Sequence, residues 1–96
     1  MIGSNENSND EKWKIFTTKR FERSLIKLNK EIVIKILQAV HILFNNPFIG
    51  KKLTGILRGK RSLRVGDYRV IYHLNKEEKA VYLLDVRHRK VAYKRP

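Results

Sequence analysis

The residues of this chain whose types could do chemistry are cations and tyrosines crowded into its second half. They sit in Gly66-Asp67-Tyr68-Arg69-Val70-Ile71-Tyr72 and in Arg87-His88-Arg89-Lys90-Val91-Ala92-Tyr93. Residues 51–96 hold fourteen Lys and Arg against four Asp and Glu, a local charge of +10. Residues 1–11 hold three acids and no base, so the positive charge belongs to the body of the chain. Such a surface suits a polyanion, because charge-assisted hydrogen bonds to phosphate are strong and a planar guanidinium can offer two in parallel. The overall formal charge of +13 speeds encounter with phosphate backbones but carries no sequence specificity.

Other chemistries are poorly served. With no cysteine there can be neither a disulfide framework nor a thiolate metal site, and a cytoplasmic location is the expectation. His41, His73 and His88 are far apart in sequence and none forms a helical pair with a carboxylate, so no metal is expected. The longest apolar runs, Ile32-Val33-Ile34 and Val81 to Leu84, fall far short of a bilayer span. The first eleven residues lack the basic and apolar regions of a secretory signal. They are expected to form a disordered polar leader, 1–11, ahead of a single domain, 12–96.

The elements that must position the cations can be read from periodicity. Trp13, Ile15 and Phe16 lie among lysines and threonines and predict a first strand. From Thr18 the period changes: Phe21, Leu25 and Leu28 recur at helical spacing, with Lys19, Arg20, Arg23 and Lys27 as a solvated face. Asn29 is the expected N-cap of a second helix from about Lys30 to Phe44, with Glu31 in its first turn. Its stripe of Ile32, Ile36, Val40, Leu43 and Phe44 is widened by Val33 and Leu37, which implies burial on more than one side. Asn45-Asn46-Pro47 ends it. A loop rich in Gly and Lys follows, then strands at Ser62–Val65, Tyr68–Leu74 and Ala80–Val86, the last apolar nearly throughout and so expected to be central.

The order β-α-α-β-β-β predicts an α+β fold, a helical hairpin packed on one face of a small, mainly antiparallel twisted sheet. Strand alternation sets Arg69, Ile71 and His73 opposite to Val70, Tyr72 and Leu74, and Ser62 and Arg64 opposite to Leu63 and Val65. Arg64 and Arg69 should then share the face without helices. Trp13, Tyr68 and Tyr72 are expected in the core.

Three segments give the chain a resemblance to the RelE-like toxins of the RelE/ParE toxin-antitoxin superfamily. They are Lys52-Leu53-Thr54-Gly55, the hairpin Leu63-Arg64-Val65-Gly66-Asp67-Tyr68-Arg69-Val70-Ile71-Tyr72, and Val86-Arg87-His88-Arg89 followed by Tyr93. The resemblance spans about residues 12–96. It implies a ribosome-dependent endoribonuclease that cuts mRNA in the ribosomal A site and so inhibits translation, without metal or cofactor, and that is held by a RelB-like antitoxin. The reaction it implies is attack of a ribose 2′-hydroxyl on the adjacent phosphate, which requires a base, cations for the transition state and an acid for the leaving oxygen.

By the same resemblance, Arg69 would bind the scissile phosphate and Arg89 would stabilise the leaving oxygen or the transition state. Tyr93 would stack on a base or orient the 2′-hydroxyl. Lys60 falls at a catalytic lysine position and, with Arg61, Arg64 and Arg69 close in sequence, is a candidate base in its neutral form. Lys52, Arg61, Arg64 and His88 are candidates for binding RNA. The chain departs from the family pattern in carrying Ser62 where a second active-site lysine can occur and Thr54 where a basic residue can occur, and His88 could substitute in proton transfer. Two alternatives stand beside this reading: a ParE-like, non-enzymatic inhibitor of DNA gyrase, and a non-catalytic basic nucleic-acid-binding module.

Overall fold

A computed structural model describes residues 13–92 of the chain, and the expected leader lies outside them. Thr18 turns a strand into a helix. Its backbone is extended, its side chain accepts the Phe21 N–H, and its hydroxyl donates to the Leu83 carbonyl at 2.9 Å. Strand β1 (Lys14–Thr17) therefore stops and helix α1 (Lys19–Ile26) begins while both are tied to the sheet. Asn29 caps α2 (Lys30–Asn45) in the same way, accepting from the Ile32 N–H at 3.0 Å, with Glu31 in the first turn.

Beyond α2 come β2 (Lys51–Lys52), a short 3-10 turn at Gly55–Leu57, β3 (Lys60–Val65), β4 (Tyr68–Asn75), β5 (Ala80–His88) and a last short helix, α3 (Arg89–Ala92). The five strands form one sheet in the order β1-β5-β4-β3-β2. β1 runs parallel to β5 and the other neighbours are antiparallel. This is the predicted α+β architecture, two helices packed on a small mixed sheet. It differs in detail: Lys51-Lys52 is an edge strand paired with Ser62 and Arg61, β3 begins at Lys60, and β5 continues to His88. The apolar β5 is interior as expected, flanked by β1 and β4.

The core lies between the helices and one face of the sheet. Phe21, Ile36, Leu43, Val70, Tyr72, Val81 and Leu83 are fully buried there, with Trp13 at the margin. Each such side chain contributes roughly 1.5–3 kcal/mol of hydrophobic stabilisation. Tyr72 is also polar glue: its hydroxyl donates to the Pro47 carbonyl at 2.7 Å and accepts the Gly50 N–H at 2.9 Å, holding the loop after α2. The width of the α2 stripe does not produce burial on a second side. Leu37 is 49% and Ile34 46% exposed, because the sheet lies on one side of the helix and, among the described residues, no element covers the other.

One irregularity decides which way β5 points its side chains. Ile71 pairs with Asp85 but the next residue, Tyr72, pairs with Leu83, so β5 carries Leu84 as an extra residue. Val81 and Leu83 face the core; past this bulge Val86 does, and the alternation has changed phase. No helix of the described residues is long and apolar enough to cross a membrane.

Candidate functional site

The β3–β4 hairpin turns at Gly66-Asp67, where Gly66 has φ +61°, a left-handed conformation that suits glycine. The turn fixes a register in which Arg64 lies opposite Arg69. The β4–β5 register then sets Arg87 opposite Arg69. Three guanidinium-bearing residues thus stand side by side on three adjacent strands, on the face of the sheet away from the helices. Neighbouring strands are about 4.8 Å apart, and like charges directly opposite one another are destabilising. An arrangement of this kind is relieved by an anion.

Arg89 joins the row from α3. Its N–H donates to the Asp67 carbonyl at 2.7 Å, which ties the end of β5 to the hairpin turn, and its guanidinium lies 3.9 Å from the exposed Asp67 carboxylate. Arg64, Gly66, Tyr68, Arg69 and Arg89 line a cavity of about 280 Å³. Beneath Arg69 lies Ser62, 3% exposed, with its hydroxyl 3.5 Å from Nη1. Tyr68 is half-buried, packed against the core and walling this cavity, and Trp13 and Tyr72 are core residues as expected.

Arg87 is held by Asp85. The Asp85 carboxylate accepts from Ser24 Oγ at 2.6 Å, from Arg87 Nε at 3.0 Å and from the Val86 N–H at 2.8 Å, with Arg20 at 3.4 Å. Burial pushes this carboxyl upward, but the hydrogen bonds from Ser24, Arg87 and the Val86 N–H, together with the charge of Arg87, outweigh it and hold the group below its ordinary value. Asp85 is therefore a fixed anion that aims a cation.

Lys60 lies at the start of β3, opposite His73. It lines a second cavity, of about 330 Å³, with an apolar floor of Leu57, Ile71 and Leu84 and with Thr18, Arg20, Asp85 and Arg87 around it. Lys60 and Arg89 therefore line different cavities. Arg87, which lines the one and pairs with Arg69 of the other, joins them. The cations that line this cavity with Lys60 are Arg20 and Arg87, while Arg64 and Arg69 line the first.

Arg61 alternates to the opposite side from Lys60. Its Nη1 donates to the carbonyls of Phe48 and Gly50 at 3.2 and 2.8 Å, and its guanidinium sits 5.4 Å from the Phe48 ring centroid. Arg61, expected to bind RNA, braces the loop after α2 through these contacts. Lys52 is exposed on β2 at the far edge of the sheet, separated from β5 by β3 and β4. His88 is carried by the change of phase to the side of Tyr68, which it meets edge-on at 5.1 Å, and its Nδ1 accepts the Lys90 N–H at 3.2 Å. It is not in the arginine row. Tyr93 lies outside the described residues. Arg87 itself is a site residue that the sequence reading passed over. Among the described residues no three His, Cys, Asp or Glu side chains gather as a metal site would require.

A family model described as "ParE toxin of type II toxin-antitoxin system, parDE" matches residues 15–93, which include both arginine-bearing segments. The chain belongs to this toxin family. This RelE-like toxin is 32% identical over 89 residues to Toxin RelE of Mycobacterium tuberculosis (strain ATCC 25618 / H37Rv), covering 91% of this chain and 92% of that one. Its structure matches a chain of a RelBE toxin-antitoxin complex from Mycobacterium tuberculosis with a TM-score of 0.75 and 32% identity, over 81% of this chain and 99% of the other. It matches a chain of the archaeal RelE-RelB complex from Pyrococcus horikoshii OT3 with a TM-score of 0.66 and 26% identity, over 81% and 96%. The isolated E. coli RelE toxin shares the fold at a TM-score of 0.69 and 18% identity, over 79% of this chain and 83% of that one.

Proposed function

We propose that this RelE-like toxin is a ribosome-dependent endoribonuclease that acts in the cytoplasm, cleaving mRNA in the ribosomal A site and so stopping translation. The observation that carries the reading is the row of Arg64, Arg69 and Arg87 on the helix-free face, with Arg89 beside it. In the reaction the ribose 2′-oxygen bonds to the adjacent phosphorus, the bond from phosphorus to the 5′-oxygen breaks, and a cyclic phosphate and a 5′-hydroxyl result. Arg69 and Arg87 neutralise the non-bridging oxygens, whose charge grows in the transition state. Lys60 takes the 2′-proton, and the leaving 5′-oxygen picks up a proton from water to become the 5′-hydroxyl. Arg89 stabilises the leaving oxygen, and Tyr93 orients the ribose or stacks on its base. Arg64 and His88 contact the flanking RNA, with Lys52 at the margin.

The RelE chains from Mycobacterium tuberculosis and Pyrococcus horikoshii were solved in complexes with their antitoxins. A RelB-like antitoxin is accordingly the proposed partner that holds this toxin inactive. Primer-extension mapping on translating ribosomes tests the activity: cuts confined to the A-site codon are expected, and none with a ribosome-binding protein would overturn it. The ParE description of the matched family favours a second reading, inhibition of DNA gyrase. A supercoiling assay with purified protein separates the two.

A further inference from the structure

The cations of α1 are more than a solvated helix face. Arg20, Arg23 and Lys27 recur at i, i+3 and i+7 beside Ser24, and this stripe forms one wall of a groove of about 500 Å³. The other wall is the end of β5, with Asp85, Val86, Arg87 and His88. Ser24 closes the groove by donating to Asp85 at 2.6 Å. Four permanent cations face one carboxylate there, and that carboxylate is already engaged by Arg87 and Arg20.

Like charges at these spacings cost a helix a few tenths of a kcal/mol per pair. The helix dipole offsets part of that cost, since Arg23 lies in the last turn of α1. The packing of α1 on β5 adds to it, because it carries the stripe up to Arg87. A ligand anion resolves the conflict. Arg87 belongs both to this groove and, through its pairing with Arg69, to the arginine row, so a chain of phosphates held by the row continues into the groove without crossing an uncompensated acid.

We propose that the groove between α1 and the end of β5 is a second phosphate site, which holds the backbone of single-stranded RNA as it leaves the arginine row. The inference rests on the RNA reading of the row and extends it to residues outside that row. Arg23 and Lys27 make the contacts; Arg20 and Ser24 hold the groove in shape through Asp85.

The test is equilibrium binding of the full chain to a short single-stranded RNA, 2′-O-methylated so that it cannot be cut, followed by fluorescence anisotropy over a range of KCl concentrations. The double variant Arg23→Gln, Lys27→Gln is compared with Lys30→Gln, Lys35→Gln, which removes the same charge from exposed positions on α2. Thermal melts establish that both variants fold. Loss of two phosphate contacts makes the slope of log affinity against log salt shallower by about 1.4 in the first variant, while the control keeps the wild-type slope. An unchanged slope in the first variant, or an equal change in both, overturns the proposal. So does intact RNA binding with lost affinity for a polyglutamate peptide, which would make the groove a seat for an acidic protein segment. Binding does not require cleavage, so absent A-site cuts with the predicted change in slope would sink the nuclease reading and leave the groove standing.

Discussion

Replacing Asp85 with Asn keeps the shape of the side chain and removes the charge that aims Arg87. The carboxylate is almost buried, its side chain 10% exposed, and Arg87 is 29% exposed. Three of its contacts, from Ser24, Arg87 and the Val86 N–H, are charge-assisted hydrogen bonds, a class that contributes about 1.5–3 kcal/mol each. The fourth, from Arg20, is mostly solvated and counts for little. Asn still accepts from two donors, and the desolvation cost of the carboxylate is recovered, so the net loss is about 2 kcal/mol. In a domain of this size that lowers the midpoint of thermal unfolding by roughly 8–16 °C at pH 7.

The pH dependence has a definite sign. The folded carboxyl titrates below its unfolded value, so its stabilisation is complete above about pH 4 and is lost as pH falls through the folded value. The Asn variant should lack that acid limb. Function should divide as well: with one anion fewer, single-stranded RNA binds more tightly, while cleavage slows roughly tenfold because Arg87 is no longer oriented. Urea unfolding at several pH values, with binding and primer extension at neutral pH, reads all three effects. A variant within 0.5 kcal/mol of wild type, or one that cuts as fast, would refute the idea that Asp85 positions Arg87.

Three further outcomes are expected. Arg69→Ala should cost about 3 kcal/mol of transition-state stabilisation, roughly two orders of magnitude in the cleavage rate on programmed ribosomes; full activity in that assay would exclude Arg69 from the reaction. Arg61→Ala should lower stability by about 1–2 kcal/mol through its lost carbonyl contacts and Phe48 stacking, while cleavage below the melting transition stays near wild type; the reverse pattern would return Arg61 to the RNA surface. Gly50→Ala would bring a methyl group against the buried Tyr72 hydroxyl, costing about 1–3 kcal/mol in denaturant unfolding, and an unchanged midpoint would mean that this loop is free to move aside.

How much was legible in the sequence follows from the range of each interaction. Thr18 and Asn29 cap their helices within three residues of their own positions, so both helix starts could be read locally. The pairing of Arg64 with Arg69 could also be read, because a tight turn at Gly66-Asp67 leaves little freedom of register. The bracing role of Arg61 could not be read, because its partners, the carbonyls of Phe48 and Gly50, belong to a loop that meets β3 only in the folded chain. Lys51-Lys52 looked like loop because a two-residue strand has no period to detect.

Composition and alternation alone determined that this is a small basic α+β domain with cations on the face its helices leave open. The tertiary structure decided which cations stand together. A strand's alternation runs Val81, Leu83, Asp85, Arg87 to one side, which would send Arg87 toward the core; the extra residue at Leu84 reverses it and turns Arg87 to Arg69 and His88 to Tyr68. Nothing in the local sequence marks that reversal, because a bulge is fixed by how two strands satisfy each other's hydrogen bonds and by the helix that packs Ser24 against Asp85.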